Sequence, residues 1–280
     1  MNHTTMENRL EADVLVIGGG IAGCFAAIKA SQQGAKVILV DKGFAGKSGQ
    51  TPYARSFMAF NPEWGHKLDV WMNYINQTSE YVNNRTWTEI TIQESYARYL
   101  DLLSWGIKFK TGSDGQPVRN PAPPGVTDSV QLDDQTKGEY ALILRKQVLK
   151  AGIKILDRVM LVELLQQDGK IVGAIGLPLD SDNLYTFIAK ATILCVGGCG
   201  FKPAAYPPII QLTADGEAMA YRAGAEILGK EFVDTHSTRM DTPVGIPNML
   251  GRNKPVPDHL QVLLGPGRGI GEALAHAHKA

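Results

Sequence analysis

The chain has 280 residues, enough to bury one large core or two modest ones. Its 28 Lys and Arg balance 28 Asp and Glu, so net charge points to neither nucleic acid nor a membrane surface as partner. Hydrophobic residues make up 44%, the share of an ordinary globular protein, and no apolar run approaches the roughly 18 residues of a membrane span.

In chain order, the opening "MNHTTMENRLEA" lacks the apolar centre of a secretory signal, and the expectation is a cytoplasmic protein without membrane insertion. Residues 14–17 and 36–40 then read as short β-branched strands around an Ala-rich helix at 21–33, with Gly34 as its C-terminal cap. This is a βαβ unit, which implies a parallel sheet. From 42 to 62 the composition turns to Gly, Ser, Pro and aromatics, as in a long functional loop. "LDVWMNYINQTSEYV" and "TEITIQESYARYLDLLSWG" carry helix-spaced apolar residues, the second ending at Gly106. "TGSDGQPVRNPAPPG" reads as a turn-rich linker.

"GEYALILRKQVLKAGIKIL" predicts a helix closed by Gly152 and then a strand. "MLVELLQQDGKIVGAIGLPL" predicts a hairpin around Asp168-Gly169, and "ATILCVGG" a buried strand running into glycines. "DGEAMAYRAGAEI" is helical again and "EFV" a short strand. After His236 the chain is rich in Pro and Gly, which sets a boundary near 236.

The glycines at the first turn carry the chemistry. Gly18, Gly20 and Gly23 form G-x-G-x-x-G between a strand and a helix. The first glycine permits the tight turn, the second lets backbone approach a pyrophosphate, and the third lets the helix pack closely on the sheet. Phosphates would meet free N–H groups and the positive end of the helix dipole. Asp41 ends the second strand, where a carboxylate can accept hydrogen bonds from ribose hydroxyls. The unit alone leaves FAD and NAD both open.

Four segments resemble one family. They are "DVLVIGGGIAG" through "VILVDKG", "GKSGQTPYARSF", "ATILCVGGCG" and "LTADGEAMAYRAGAEILGKEFVDTH". From about 12 to 236 the chain resembles the flavoprotein subunits of the fumarate reductase/succinate dehydrogenase family, whose superfamily includes L-aspartate oxidase and the adenylylsulfate reductase flavin subunit. The resemblance implies FAD and an α/β, Rossmann-like FAD-binding domain at 1–235, with a parallel sheet and an inserted β-hairpin or meander. Residues 236–280 would begin a capping domain. It further implies that Gly18, Gly20 and Gly23 bind the pyrophosphate and that Asp41, with Lys42 beside it, binds the adenosine ribose. Ser48, Gly49, Gln50 and Thr51 would line the flavin side, Met160 would reach the adenine, Gly197 and Gly198 would pass close to the dinucleotide, and Asp215 would contact the flavin end.

Members that attach FAD covalently carry a histidine in the loop after the first unit. Residues 46–54 contain none, so non-covalent FAD is expected. The family's A-Q-G-G is here Ala54, Arg55, Ser56, Phe57. His236 stands at the family's substrate histidine, and Arg252 lies at a comparable spacing to a family arginine segment. Together they are the catalytic candidates, and the implied reaction is hydride transfer between flavin N5 and a small (di)carboxylate. An electron-transfer protein subunit is an implied partner. The later capping residues have no counterpart here, so the alternative is a non-catalytic FAD-binding module, and enzymatic activity of the chain itself stays open. Cys24, Cys195 and Cys199 are too few for an ordinary four-thiolate iron–sulfur cluster. Cys195 and Cys199, spaced C-x-x-x-C, read as small buried residues. The H-x-H of His276 and His278 reads as incidental, and no metal is expected.

Overall fold

The structure, a computed structural model, describes residues 8–47, 49–121, 127–136, 139–198 and 213–228. They fall into two compact units, one ending at Cys195 and one beginning at Val196. The expected boundary at 236 and the strand expected at 231–233 lie outside the described residues.

In the first unit, β1 (Asn8–Ile17), α1 (Ile21–Gln32) and β2 (Val37–Asp41) form the expected βαβ unit, with β1 and β2 parallel from Val14↔Val37 to Ile17↔Val40. Every residue of β2 is buried, as a parallel strand covered on both faces requires. The helix ends at Gly34, whose φ of +84° suits glycine. The N–H of Ala35 returns to Ala30 O and that of Gly34 to Ser31 O, which satisfies the last carbonyls.

Next come β3 (Ser56–Met58), α2 (Leu68–Thr78), α3 (Arg85–Ser104), β4 (Arg119–Pro121), β5 (Asp128–Gln131), α4 (Tyr140–Lys150) and β6 (Lys154–Asp157). The unit closes with β7 (Val159–Gln167), β8 (Lys170–Pro178) and β9 (Tyr185–Leu194). The main sheet runs β6-β2-β1-β9-β8-β7. Its first four strands are parallel, and β9, β8 and β7 form an antiparallel meander. Asp168 and Gly169, both with positive φ, make the expected two-residue hairpin turn between β7 and β8.

β6 and β7 stand at opposite ends of this sheet, yet only Arg158 separates them in the chain. The sheet therefore curls, and β7 lies against β2. Arg158 turns the corner with φ +58°; its N–H donates to Gly43 O, and its guanidinium grips Asp180, with Nε 2.7 Å from Oδ1.

Side chains of α1, α3 and α4 pack with β1 and β2 into one core that includes Val16, Ala27, Leu39, Leu102, Leu144 and Val148. Burying each of its larger aliphatic side chains contributes about 1.5–3 kcal/mol. Phe60, Trp71 and Ile92 form a smaller cluster between α2 and α3.

Two expectations need correction. The stretch read as a linker contributes β4, which pairs with β5 and through it with β3 in a second, antiparallel sheet. Pairing with a distant strand outweighs local composition there. The strand read as buried does form within β9, but Ile193 and Leu194 are each 37% exposed. Beyond Ile188, β9 pairs with β1 alone among the described residues, since β8 is registered only with 185–188.

The closest approach in the meander is at Gly173, where an added Cβ would stand 1.8 Å from Phe187 O. Gly173→Ala is expected to force β8 off β9 and cost about 3 kcal/mol, seen as a lowered Tm. An unchanged Tm would contradict this packing.

Candidate cofactor site

The site is assembled where β1 stops. Gly18 turns the chain with φ +102°, a conformation open to glycine, and its N–H donates to Val40 O at 2.8 Å. Five residues on, Gly23 lies so close to this turn that an added Cβ would be 1.8 Å from Gly18 O. The head of α1 is thus pressed against the end of β1, as the third glycine of the motif allows.

Asp41 is only 6% exposed. Its Oδ2 accepts the N–H of Gly19 at 2.6 Å and its Oδ1 that of Gly43 at 2.7 Å. Each carboxylate oxygen has a further lone pair. Thr51, also buried, sits at the mouth of α1, where its hydroxyl accepts the N–H of Ile21 at 2.9 Å. Among the described residues no acceptor takes the N–H of Gly20, Ala22 or Gly23. Around a Cβ built on Gly20, only Thr51 Oγ1 comes within 4 Å, at 3.0 Å. The helix head therefore offers unclaimed donors beside open space, and an anionic diphosphate fits such a cradle.

The remaining expected residues are distributed as follows. Lys42 follows β2 and is half-buried. Gly49, with φ +68°, and the exposed Gln50 lead into the one-turn 3-10 helix at Thr51–Tyr53, while Ser48 lies outside the described residues. Met160 is on β7, opposite Leu177 of β8. In the second unit, Gly197, Gly198 and Asp215 line one small cleft with Val196 and Thr213. Asp215 opens α5 (Asp215–Arg222) and accepts a hydrogen bond from the Thr213 hydroxyl. Gly216 is required there, because a Cβ would meet the Val196 side chain at 2.5 Å. His236, Arg252, Cys199, His276 and His278 lie outside the described residues.

The sequence reading gave no part to Gly19, Arg145 or Asp157. An added Cβ on Gly19 would be 2.5 Å from that of Ala45, so the middle position has no room for a side chain. Arg145 on α4 grips Asp157 at the end of β6, at 2.9 and 2.6 Å. Asp157 in turn accepts the N–H of Ala45 at 2.8 Å. Three glycines in a row were the available signal for Gly19. Nothing local marks the other two, whose partners are distant in sequence.

A separate cavity of about 980 Å³ lies beside α2, lined by Trp64, His66, Lys67, Arg119 and Asp128 among others. His66 accepts the N–H of Asn61 at Nδ1 and so donates from Nε2 to Asp128, 2.9 Å away. Arg119 stacks on Trp64 at 5.3 Å and reaches the same carboxylate at 3.3 Å. These groups largely neutralise one another.

Cys24 is fully buried under the turn, its thiol donating to Gly19 O. Burial first, and the nearby Asp41 charge second, push it from 9.0 to about 12. Burial pushes Cys195 to about 11. Neither is an activated thiolate. Among the described residues no group of three or more His, Cys, Asp or Glu side chains is placed to hold a metal, and no helix is long and apolar enough to cross a membrane.

A parallel sheet whose first turn presents free helix-head donors beside a buried acid defines a dinucleotide-binding domain. The family described as the FAD binding domain matches residues 13–251. The chain belongs to this family, within the superfamily of FAD-dependent oxidoreductases related to fumarate reductase and succinate dehydrogenase, and FAD is its cofactor. It is 33% identical over 246 residues to a fumarate reductase (CoM/CoB) subunit of Methanothermobacter marburgensis, covering 85% of this chain and 44% of that protein. It is 27% identical over 237 residues to L-aspartate oxidase of Clostridium acetobutylicum, covering 82% and 52%. The Mycobacterium smegmatis Sdh1 complex in the apo form superposes with a TM-score of 0.70 at 29% identity, over 78% of this chain and 39% of that one. The chain thus spans about half the length of the curated relatives it matches.

The folded chain holds both thiol protons more tightly than the unfolded chain does. Their contribution to stability is full below pH 9.0 and is lost as the pH rises toward about 12. Urea midpoints are expected to fall between about pH 8 and about pH 10.5, and Cys24→Ala should flatten the fall. An equally steep fall in the variant would remove Cys24 as a source.

Proposed function

We propose that the glycine turn holds the pyrophosphate of FAD and that the chain serves an oxidoreductase acting on a small carboxylate or dicarboxylate. The observation that carries the first part is the unclaimed N–H groups of Gly20 and Ala22 at the head of α1, with open space around Gly20. Gly18 sets the turn, and Asp41 offers its remaining lone pairs to the ribose, with Lys42 next to it. By likeness to the family, Ser48, Gly49, Gln50 and Thr51 would line the flavin side, Met160 would reach the adenine, Gly197 and Gly198 would pass close to the dinucleotide, and Asp215 would contact the flavin end. Residues 46–54 contain no histidine, which favours non-covalent attachment.

Bound FAD would supply a two-electron carrier for hydride exchange with the substrate. The chain's own groups for that substrate are His236, a donor to a carboxylate, and Arg252, whose planar fork suits the same group. The substrate class is supported by likeness to fumarate reductase and succinate dehydrogenase flavoproteins. Both of these relatives are named as subunits, which supports an electron-transfer protein as partner.

The chain is expected to retain FAD after the excess is removed and to release it on acid precipitation, read by absorbance. Gly20→Val should abolish retention, because the side chain would fill the phosphate's approach and displace Thr51. Wild-type flavin content in that variant would refute the assigned turn. His236→Ala should keep FAD while weakening succinate or fumarate binding about tenfold, measured by perturbation of the flavin spectrum. Unchanged affinity would take His236 out of the site.

A further inference from the structure

The glycine turn does not hold its own position. Its outer wall is the loop that leaves β2. Gly46 donates its N–H to Gly19 O at 2.9 Å, and Ala45 stands so near Gly19 that only glycine fits there. This loop is itself fixed from outside. The N–H of Ala45 is held by Asp157 Oδ1 at 2.8 Å and its carbonyl by the Arg145 guanidinium at 3.1 Å. Arg145 and Asp157 are joined by two bonds of 2.9 and 2.6 Å, a forked geometry that fixes both planes. Gly46 also packs on α4, where a Cβ would lie 2.4 Å from Ala141 O.

We infer that the Arg145–Asp157 pair positions the FAD pyrophosphate turn through Ala45, so that the pair controls cofactor affinity without touching the cofactor. The inference rests on the reading that this turn binds FAD. Three features support it. The pair sits at the junction of α4 and β6, two rigid elements, and a site braced on such elements is held more closely than one on a free loop. Both polar groups of the Ala45 backbone are taken by this pair, so loss of either partner leaves a buried group unsatisfied. Among the described residues, the pair reaches the turn through the 2.9 Å bond from Gly46 and the tight Ala45–Gly19 contact, so a displaced Ala45 shifts Gly19. Gly19 lies beside the very donors that face the phosphates.

The test compares Arg145→Met, which keeps the alkyl stem, Asp157→Asn, the double variant and Arg145→Lys. FAD affinity is read by flavin fluorescence and ADP affinity by competition with FAD, with Tm measured in parallel. ADP is the half of FAD that carries the diphosphate and ribose. Each single neutral variant is expected to weaken FAD and ADP by the same factor, about tenfold. The double variant should be no worse than the worse single, because the two residues act as one unit. Arg145→Lys, which keeps the charge but loses the fork, should recover part of the loss.

Folded variants that bind FAD and ADP within about twofold of wild type overturn the inference, even with a lower Tm. So does a loss confined to FAD, which would place the effect at the flavin end. If the neutral variants do not fold, Arg145→Lys decides: unchanged ADP affinity overturns the inference, and weaker ADP binding at native far-UV circular dichroism supports it. Binding that ignores Gly20→Val would instead overturn the assignment of the turn itself. Binding that responds to Gly20→Val but not to the pair overturns this inference alone.

Discussion

The carboxylate of Asp41 is the constraint on which the first unit is arranged. It joins the turn entering α1 to the chain leaving β2 by accepting one N–H from each, Gly19 and Gly43. A carboxylate this deeply buried is costly without partners, and two short N–H bonds offset that cost. A Cβ on Gly19 would stand 3.0 Å from Oδ2 as well as against Ala45, so the bond needs glycine at that position. Turn, acid and loop therefore depend on each other, and Gly43 extends the dependence to the corner at Arg158, whose N–H it receives.

What could be read from the sequence was whatever is decided locally. The βαβ unit was legible because its strands are β-branched runs and its helix is bounded by glycine on both sides. Gly34, Gly106 and Gly152 all carry positive φ directly after helices, as the expected caps require. The hairpin at Asp168-Gly169 needs only a two-residue turn with left-handed backbone between apolar runs. Family likeness added the cofactor, which the βαβ unit could not, because FAD and NAD make the same demand on a glycine turn.

The rest depended on partners far away in the chain. β3, β4 and β5 are three or four residues long, too short for an alternating pattern to declare itself, and β4 gains its identity from β5. Nothing in "ATIL" encodes the exposure of Ile193 and Leu194. Asp41 was legible as an acid at a strand end, yet its bonds to Gly19 and Gly43 follow from its depth, which sequence position does not reveal. Arg145 and Asp157 read as ordinary charges on a helix and a strand, and only the fold brings them to Ala45.

The division of donors at the head of α1 shows how frame and cofactor can share one turn. A helix begins with N–H groups that have no partner within it. Here the donor of Gly18 goes to β2, that of Gly19 to Asp41 and that of Ile21 to Thr51, so the protein holds the positions on either side of Gly20. These bonds fix the backbone before any ligand arrives, and the donors next to them, on Gly20 and Ala22, are left in a set direction. A diphosphate entering such a cradle meets groups that need no reordering, which is how preorganisation converts fixed backbone into affinity. Thr51 is the one member that faces both ways. Its hydroxyl accepts from Ile21 and keeps its own proton to donate, so it can hold the helix head while turning a hydrogen bond toward an anion beside it.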